Sequence, residues 1–145
     1  MSVIEKIAQH LAKQRARSIK TFNGMLSCAY RGKNGTMCAV GCLIPDEMYT
    51  VGMEQNPFVN LKLNFPELLT HLADTYFDGD AQDAELVLTL AQNFHDGDAY
   101  NRLMYSAQKY KWSDERLEEV ITDHLDTAIA AQGVHMKMIE EIMQA

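Results

Sequence analysis

The chain has no lysine or arginine between Lys62 and Arg102, although eight acidic residues fall in that window. Residues 1–40, in contrast, contain seven basic residues and one acidic residue. The net charge of −7 therefore combines a basic beginning with an acidic remainder. This asymmetry could steer a charged partner, while the overall negative charge opposes nonspecific binding to nucleic acid. The simpler interpretation is that the acidic residues occupy solvated faces of helices.

Long apolar runs are also missing. No stretch approaches the ~18–20 apolar residues that cross a bilayer, and residues 1–15 lack the uninterrupted apolar region of a secretory signal. Three clustered cysteines are an odd number and do not resemble a secreted disulfide framework. No linker or low-complexity tract divides the chain, so we expect one cytoplasmic domain over residues 1–145, with no membrane contact.

Most of the chain repeats its apolar residues with the spacing of an α-helix. Residues 1–20 should form a basic helix that begins with a capping box at Ser2, and residues 65–145 should form an acidic helical part. The stretch 50–64 has no clear period and is predicted to be a loop. Gly133 leaves open whether the last segment is one helix or two. The helices are expected at about 2–18, 65–76, 81–95, 99–110 and 113–144.

Residues 25–50 are predicted to hold a short hairpin and a buried segment. Strands over 25–30 and 36–40 would flank the turn Arg31–Gly35, whose Asn-Gly pair tolerates positive φ. The apolar run Cys38–Ile44 should be buried, with Gly41 marking a close approach of backbone. The predicted fold class is mainly α (α+β): a single-domain helical bundle with one small β-hairpin near the N-terminus and a long C-terminal helix.

The three cysteines are candidates for a metal site. A structural zinc site uses four ligands, usually as two close pairs, but only Cys38 and Cys42 are close in sequence, and Cys28 stands apart. Free thiols that pack as small apolar side chains are the preferred interpretation. The segment from Cys28 to Cys42 contains no histidine or acidic residue that could act as an obvious base, so the sequence assigns no catalytic residue, metal or cofactor.

A second metal hypothesis comes from order alone. His71, the pair His95-Asp96, and Asp123 follow the order of the metal ligands in HD phosphohydrolases, which they resemble in order only. Carboxylates and imidazoles suit a two-metal hydrolytic site. The resemblance implies a metal-dependent phosphohydrolase as an alternative function.

The turn Arg31–Gly35 is a candidate ligand site because a short, basic, glycine-rich segment can bind a phosphate through backbone amides. Its candidate residues are Arg31, Lys33, Asn34 and Gly35. On this hypothesis the protein would be an oligomer that sequesters a nucleotide signal. A plain turn is the simpler interpretation, because the P-loop pattern is absent.

Partner-binding candidates lie on three surfaces. The last segment repeats its apolar stripe with the 4-3 spacing of a coiled-coil seam, which predicts self-association through that helix. The charged surfaces are the basic first helix and the acidic window. The candidate residues are Arg15, Arg17, Asp78, Asp80, Asp83, Ile139 and Ile142.

Two motifs are similar to those of small phage and bacterial proteins. The first, CxYRGxxGxxCAxGxLIPDxxY, runs from Cys28 to Tyr49, and the second is Gln92-x-x-His95-Asp96 followed by Trp112. The resemblance brings no established activity. It implies an accessory protein of a phage or mobile element that acts in the cytoplasm of a bacterial host.

The sequence therefore predicts a non-enzymatic protein that binds and modulates a bacterial host factor, with counter-defence as one form of modulation. The nucleotide sponge and the phosphohydrolase are the alternatives.

Overall fold

The computed structural model of the protein describes residues 2–144, and they are mainly helical, with six α-helices and one two-stranded antiparallel sheet. The predicted fold class is confirmed, and the last segment is a single helix that continues through Gly133. The strands are β1 (Ile19–Phe22) and β2 (Met25–Cys28). The helices are α1 (Val3–Gln14), α2 (Phe58–Asn64), α3 (Pro66–Tyr76), α4 (Ala81–Asp96), α5 (Asp98–Lys109) and α6 (Asp114–Gln144).

Helix α1 begins at the predicted cap and ends earlier than predicted. The Ser2 hydroxyl accepts a hydrogen bond from the Glu5 amide at 3.1 Å, which satisfies one of the free N–H groups of the first turn. The helix ends where Arg15 adopts the left-handed conformation, with φ of 52°. Its predicted apolar stripe is confirmed as core: Ile4, Ile7, Ala8, Leu11 and Ala12 are all buried.

The hairpin lies earlier in the chain than predicted, because its strands are joined at Asn23-Gly24 and not at Arg31–Gly35. Its strands pair with Ile19 opposite Cys28, and its two-residue turn is Asn23-Gly24, with φ of 51° and 80°. Positive φ at both turn residues matches the right-handed twist of the flanking strands. The predicted strand over 36–40 is wrong, because the Asn34-Gly35 pair lies in a 3-10 turn and only an isolated Arg31–Met37 bridge joins the two sides.

The predicted loop over 50–64 is also partly wrong. A 3-10 turn covers Val51–Met53, and α2 follows Pro57. The side chains of Phe58 and Leu61, three positions apart, are both buried. Packing of these two side chains in the core stabilises the short helix, although its local sequence has only a weak helical pattern.

The segment Cys38–Ile44 lies in the core, as predicted. Gly41 is buried, and a Cβ built on it would lie 2.0 Å from the carbonyl oxygen of Tyr30. No side chain fits there, so the glycine permits the two backbones to touch.

Helix α6 has two different halves. Its first half packs on α1 and α4, and it buries Leu117, Ile121 and Leu125. Residues 130–144, here called the overhang, are exposed except for Gln132, which is half-buried. No helix within residues 2–144 is both long and apolar enough to span a membrane.

Candidate functional site

The arginine of the predicted ligand turn is half-buried, and its guanidinium is engaged within the chain. The Arg31 guanidinium donates to the Ile44 carbonyl at 2.9 Å, forms an ion pair with Asp46 at 2.7 Å, and stacks over the Tyr49 ring. These contacts join the two ends of the first motif. Arg31 therefore serves the fold, and Lys33 is the exposed basic residue of the turn.

The other residues of that turn border a shallow concavity. Asn34 and Gly35 lie beside His10 and Lys13 of α1. The concavity offers basic groups at an open surface, but it does not enclose a ligand as a nucleotide pocket does.

Glu54, which follows the first motif in the sequence, forms hydrogen bonds with both ends of that motif. Its carboxylate is buried and accepts hydrogen bonds from the backbone amides of Tyr30, at 2.9 Å, and Arg31, at 3.1 Å. The Tyr49 hydroxyl donates to the same carboxylate. Sequence reasoning missed this residue, although Glu54 is the only acidic residue between Glu47 and Glu67. An isolated acid beside buried apolar residues was the available signal.

The two motifs meet at a cavity of about 170 Å³ whose walls include Cys28, Tyr30, Gln92 and Asp96. The Gln92 side chain accepts from the Val40 amide at 3.1 Å and donates to Asp96 at 3.0 Å. Gln92 thereby ties α4 to the buried segment. Through Gln92, the second motif holds the buried segment of the first motif against α4.

Two residues of the second motif, His95 and Asp96, have buried polar atoms that form no hydrogen bond among residues 2–144. His95 is buried, and neither of its ring nitrogens has a hydrogen-bond partner among residues 2–144; one carboxylate oxygen of Asp96 is in the same state. The nearest approach between them is 3.5 Å, from His95 Nδ1 to that oxygen. The His95 ring packs against Tyr100 instead.

The predicted arginines of the first helix region also serve the fold. Arg15 donates to the Trp112 carbonyl at 2.8 Å and to Asp114 at 2.9 Å, which joins the end of α1 to the start of α6. Arg17 donates to the Asp96 carbonyl at 2.9 Å and to the Cys28 sulfur at 3.2 Å. Both guanidinium groups are therefore engaged in contacts within the chain.

The phosphohydrolase residues do not assemble. Within residues 2–144, no three His, Cys, Asp or Glu side chains are grouped closely enough to hold a metal ion. His71 is half-buried on α3, His95 is buried on α4, and Asp123 is exposed on α6. The His and Asp residues that follow the phosphohydrolase order in the sequence therefore do not form a metal site among residues 2–144.

All three cysteines are free thiols. Burial raises the pKa of Cys28, with the Asp96 carboxylate adding to the effect and Arg17 opposing it. Burial also raises the pKa of Cys38, and it raises that of Cys42 to about 12, with Lys6 opposing it. A thiol is a poor nucleophile until it is deprotonated, so this environment does not favour cysteine catalysis.

These thiols give the fold an expected alkaline limit. Each folded pKa lies above the ordinary value of 9.0, so the contribution of these thiols to stability is complete below about pH 9 and is lost at higher pH, for Cys42 as the pH approaches about 12. Urea unfolding at pH 7, 9 and 10.5 should show a free energy of unfolding that falls mainly between pH 9 and pH 10.5. Cys42→Ala should flatten that fall, and an unchanged pH dependence would contradict the burial of this thiol.

Two of the three acidic candidates, Asp80 and Asp83, border a groove between α4 and the overhang, with a volume of about 860 Å³. Asp80 caps α4 by accepting from the Asp83 amide at 3.0 Å, and both residues line the groove. Asp78 lies in the break before α4, with a φ of 52°. The candidates Ile139 and Ile142 are exposed on the overhang. The structure thus brings Asp80 and Asp83 close to α6, whereas Asp78, Ile139 and Ile142 do not line the groove.

The chain matches no family model, no curated protein and no solved structure. The similarity of its two motifs to small phage and bacterial proteins therefore remains a prediction.

Proposed function

We propose that the protein is a phage-type accessory protein that binds a bacterial host protein and modulates it without catalysis. The observation that carries this proposal is the overhang. Six large apolar side chains are exposed on it, from Val134, which is 62% exposed, to Met143, which is 81% exposed. A contiguous exposed apolar surface of this kind is typical of a protein-binding site.

The arrangement of these side chains describes what they would contact. Val134, Met138 and Ile142 recur every four residues and form one row along the helix. Ile139 and Met143 form a neighbouring row. Apolar side chains on adjacent rows cover a broad face, which is wider than one neighbouring helix would bury. The overhang, about 22 Å long at 1.5 Å per residue, is thus suited to insertion into a partner.

A second copy of the chain is the competing occupant of this face. The predicted coiled-coil seam would pair two overhangs, and it places Gln132 and His135 in the middle of the contact. These polar residues would weaken a dry seam. Self-association through α6 stays a proposal, and the native mass of the purified protein measures it directly.

The alternatives receive less support from the side chains. A nucleotide sponge would need Arg31, whose guanidinium is already bound to Ile44 and Asp46. A thermal-shift screen with cyclic and ADP-ribose-type nucleotides tests it. The phosphohydrolase would need the group of metal ligands that residues 2–144 do not form.

The proposal is tested by the double variant Met138→Glu/Ile142→Glu, with Glu141→Ala as a matched control on the same turn. All three positions are exposed, so stability should change by less than about 0.5 kcal/mol. We expect tagged wild-type and control proteins to capture the same host protein from a bacterial lysate, and the double variant to lose it.

The captured protein must then bind again in purified form. A loss of at least about tenfold in affinity is expected for the double variant, equal to about 1.4 kcal/mol. Equal affinity of wild type and double variant, or turnover of a nucleotide or phosphodiester by a protein that captures nothing, would overturn the proposal.

A further inference from the structure

The groove between α4 and the overhang has an apolar floor. Leu86 and Leu90, one helical turn apart on α4, line it together with Met136 of the overhang. Both leucines are only half-buried. Their apolar surface would be removed from water by a helix lying in the groove, which is a favourable transfer.

The walls of the groove are acidic. Asp80, Asp83, Glu85 and Glu140 line it, and no lysine, arginine or histidine does. Glu85 is neutralised by Lys62 at 2.8 Å. The other three acids form no ion pair among residues 2–144. The low-dielectric floor and one sign of charge on both walls focus a negative potential into the groove.

An apolar floor between acidic walls favours a ligand that is apolar on one face and positively charged beside it. We propose that the groove binds a basic amphipathic helix of the partner protein, an inference that rests on the proposed function. Its apolar face would lie on Leu86 and Leu90, and its lysine or arginine side chains would meet Asp83 on one wall and Glu140 on the other. Recognition of an amphipathic helix in an apolar groove is a recurring mode of peptide binding.

A second copy of this chain fits the groove less well. Its overhang carries one lysine, Lys137, against Glu140 and Glu141, so two overhangs would bring like charges together. Its basic helix α1 cannot supply the apolar face, because Ile7 and Leu11 are already fully buried in the core. Nucleic acid and anionic membranes are repelled by the same acids.

The test uses fluorescence anisotropy with the full-length protein and three labelled synthetic peptides. The first is an amphipathic leucine-lysine helix, the second replaces each lysine by glutamate, and the third scrambles the first so that it has no apolar face. We expect the first peptide to bind at least about tenfold more tightly than either other. Its affinity should fall severalfold between ~0.05 M and ~0.5 M salt, because added ions screen surface charges.

Variants connect this binding to the groove. Asp83→Asn/Glu140→Gln should weaken the first peptide about five- to tenfold, since each replaced acid removes one partly exposed ion pair. Asp123→Asn, an exposed acid on α6 outside the groove, should leave it unchanged. Equal binding of the glutamate peptide, or an unaffected Asp83→Asn/Glu140→Gln variant, would overturn the inference.

The two proposals fail in different ways. If the host protein is captured and is lost on Met138→Glu/Ile142→Glu but not on Asp83→Asn/Glu140→Gln, the overhang binds the partner and the groove does not. If sedimentation shows a dimer that Leu90→Asp dissociates, the groove is occupied by a second copy and the inference is wrong.

Discussion

Replacing Gly41 by alanine is expected to prevent the protein from forming a stable domain. The added Cβ would lie 2.0 Å from the Tyr30 carbonyl oxygen and 2.8 Å from its carbon. Both atoms belong to backbone, so relief requires the buried segment to separate from the chain around Tyr30. We expect a loss of at least about 4–5 kcal/mol, which is comparable with the whole stability of many domains of this size.

The matched control is Gly133→Ala in the overhang. Apart from its chain neighbours and the backbone of its own helix, no atom of residues 2–144 lies within 4 Å of the added Cβ at that position, and the residue is inside a helix. Alanine there should therefore stabilise the protein by about 0.5–1 kcal/mol. Circular dichroism with urea unfolding measures both variants. A Gly41→Ala protein that unfolds at the wild-type midpoint would show that the two backbones are not in contact.

Removal of the Glu54 carboxylate is expected to have the next largest effect. Glu54→Ala deprives the Tyr30 and Arg31 amides and the Tyr49 hydroxyl of their acceptor. Buried donors that lose a charged acceptor keep the cost of desolvation without its compensation. We expect the free energy of unfolding to fall by about 3–5 kcal/mol.

Two further variants separate the contributions at Glu54. Glu47→Ala removes an exposed acid nearby and should change stability by less than about 0.5 kcal/mol. Tyr49→Phe deletes only the hydroxyl bond to the carboxylate, and it should cost about 1–2 kcal/mol. A Glu54→Ala protein as stable as Glu47→Ala would contradict the central place of this carboxylate.

The helices could be predicted because their information is local. Ser2 caps α1 through its own side chain, Pro66 starts α3, and the apolar stripe of α1 repeats with the helical period. These features depend only on residues within one or two turns. The same reasoning gave the long last helix, whose continuity through Gly133 had been left open.

The hairpin was misplaced because two Asn-Gly pairs compete for one turn. Asn23 and Asn34 both adopt positive φ, and a glycine with positive φ follows each. Local preference is therefore equal at the two sites. Tertiary contacts decide which pair becomes the hairpin turn. The Ala29 amide donates to the Ser18 carbonyl and extends the pairing around Asn23-Gly24. The amides of Tyr30 and Arg31 donate to Glu54 instead of to a second strand.

The site was harder to predict than the fold for the same reason. Glu54 and Gln92 act on segments 24 and 52 positions away, and no periodic pattern reports such contacts. Leu86 and Leu90 satisfy a helical stripe, yet they face a groove, because a stripe cannot show whether another element covers it. The contacts of Arg31 with Ile44 and Asp46 could likewise not be predicted from the sequence.

The packing of α1 against α6 has a consequence for how the protein is made. Ile7 and Leu11 are synthesised well before Leu117, Ile121 and Leu125, which are needed to complete the core on that side. Tyr100 adds to the delay, because its hydroxyl donates to the Leu11 carbonyl at 2.9 Å. A nascent chain that has not yet reached residue 125 therefore exposes the apolar face of its first helix. Exposed apolar surface of this kind is prone to aggregation and is bound by chaperones.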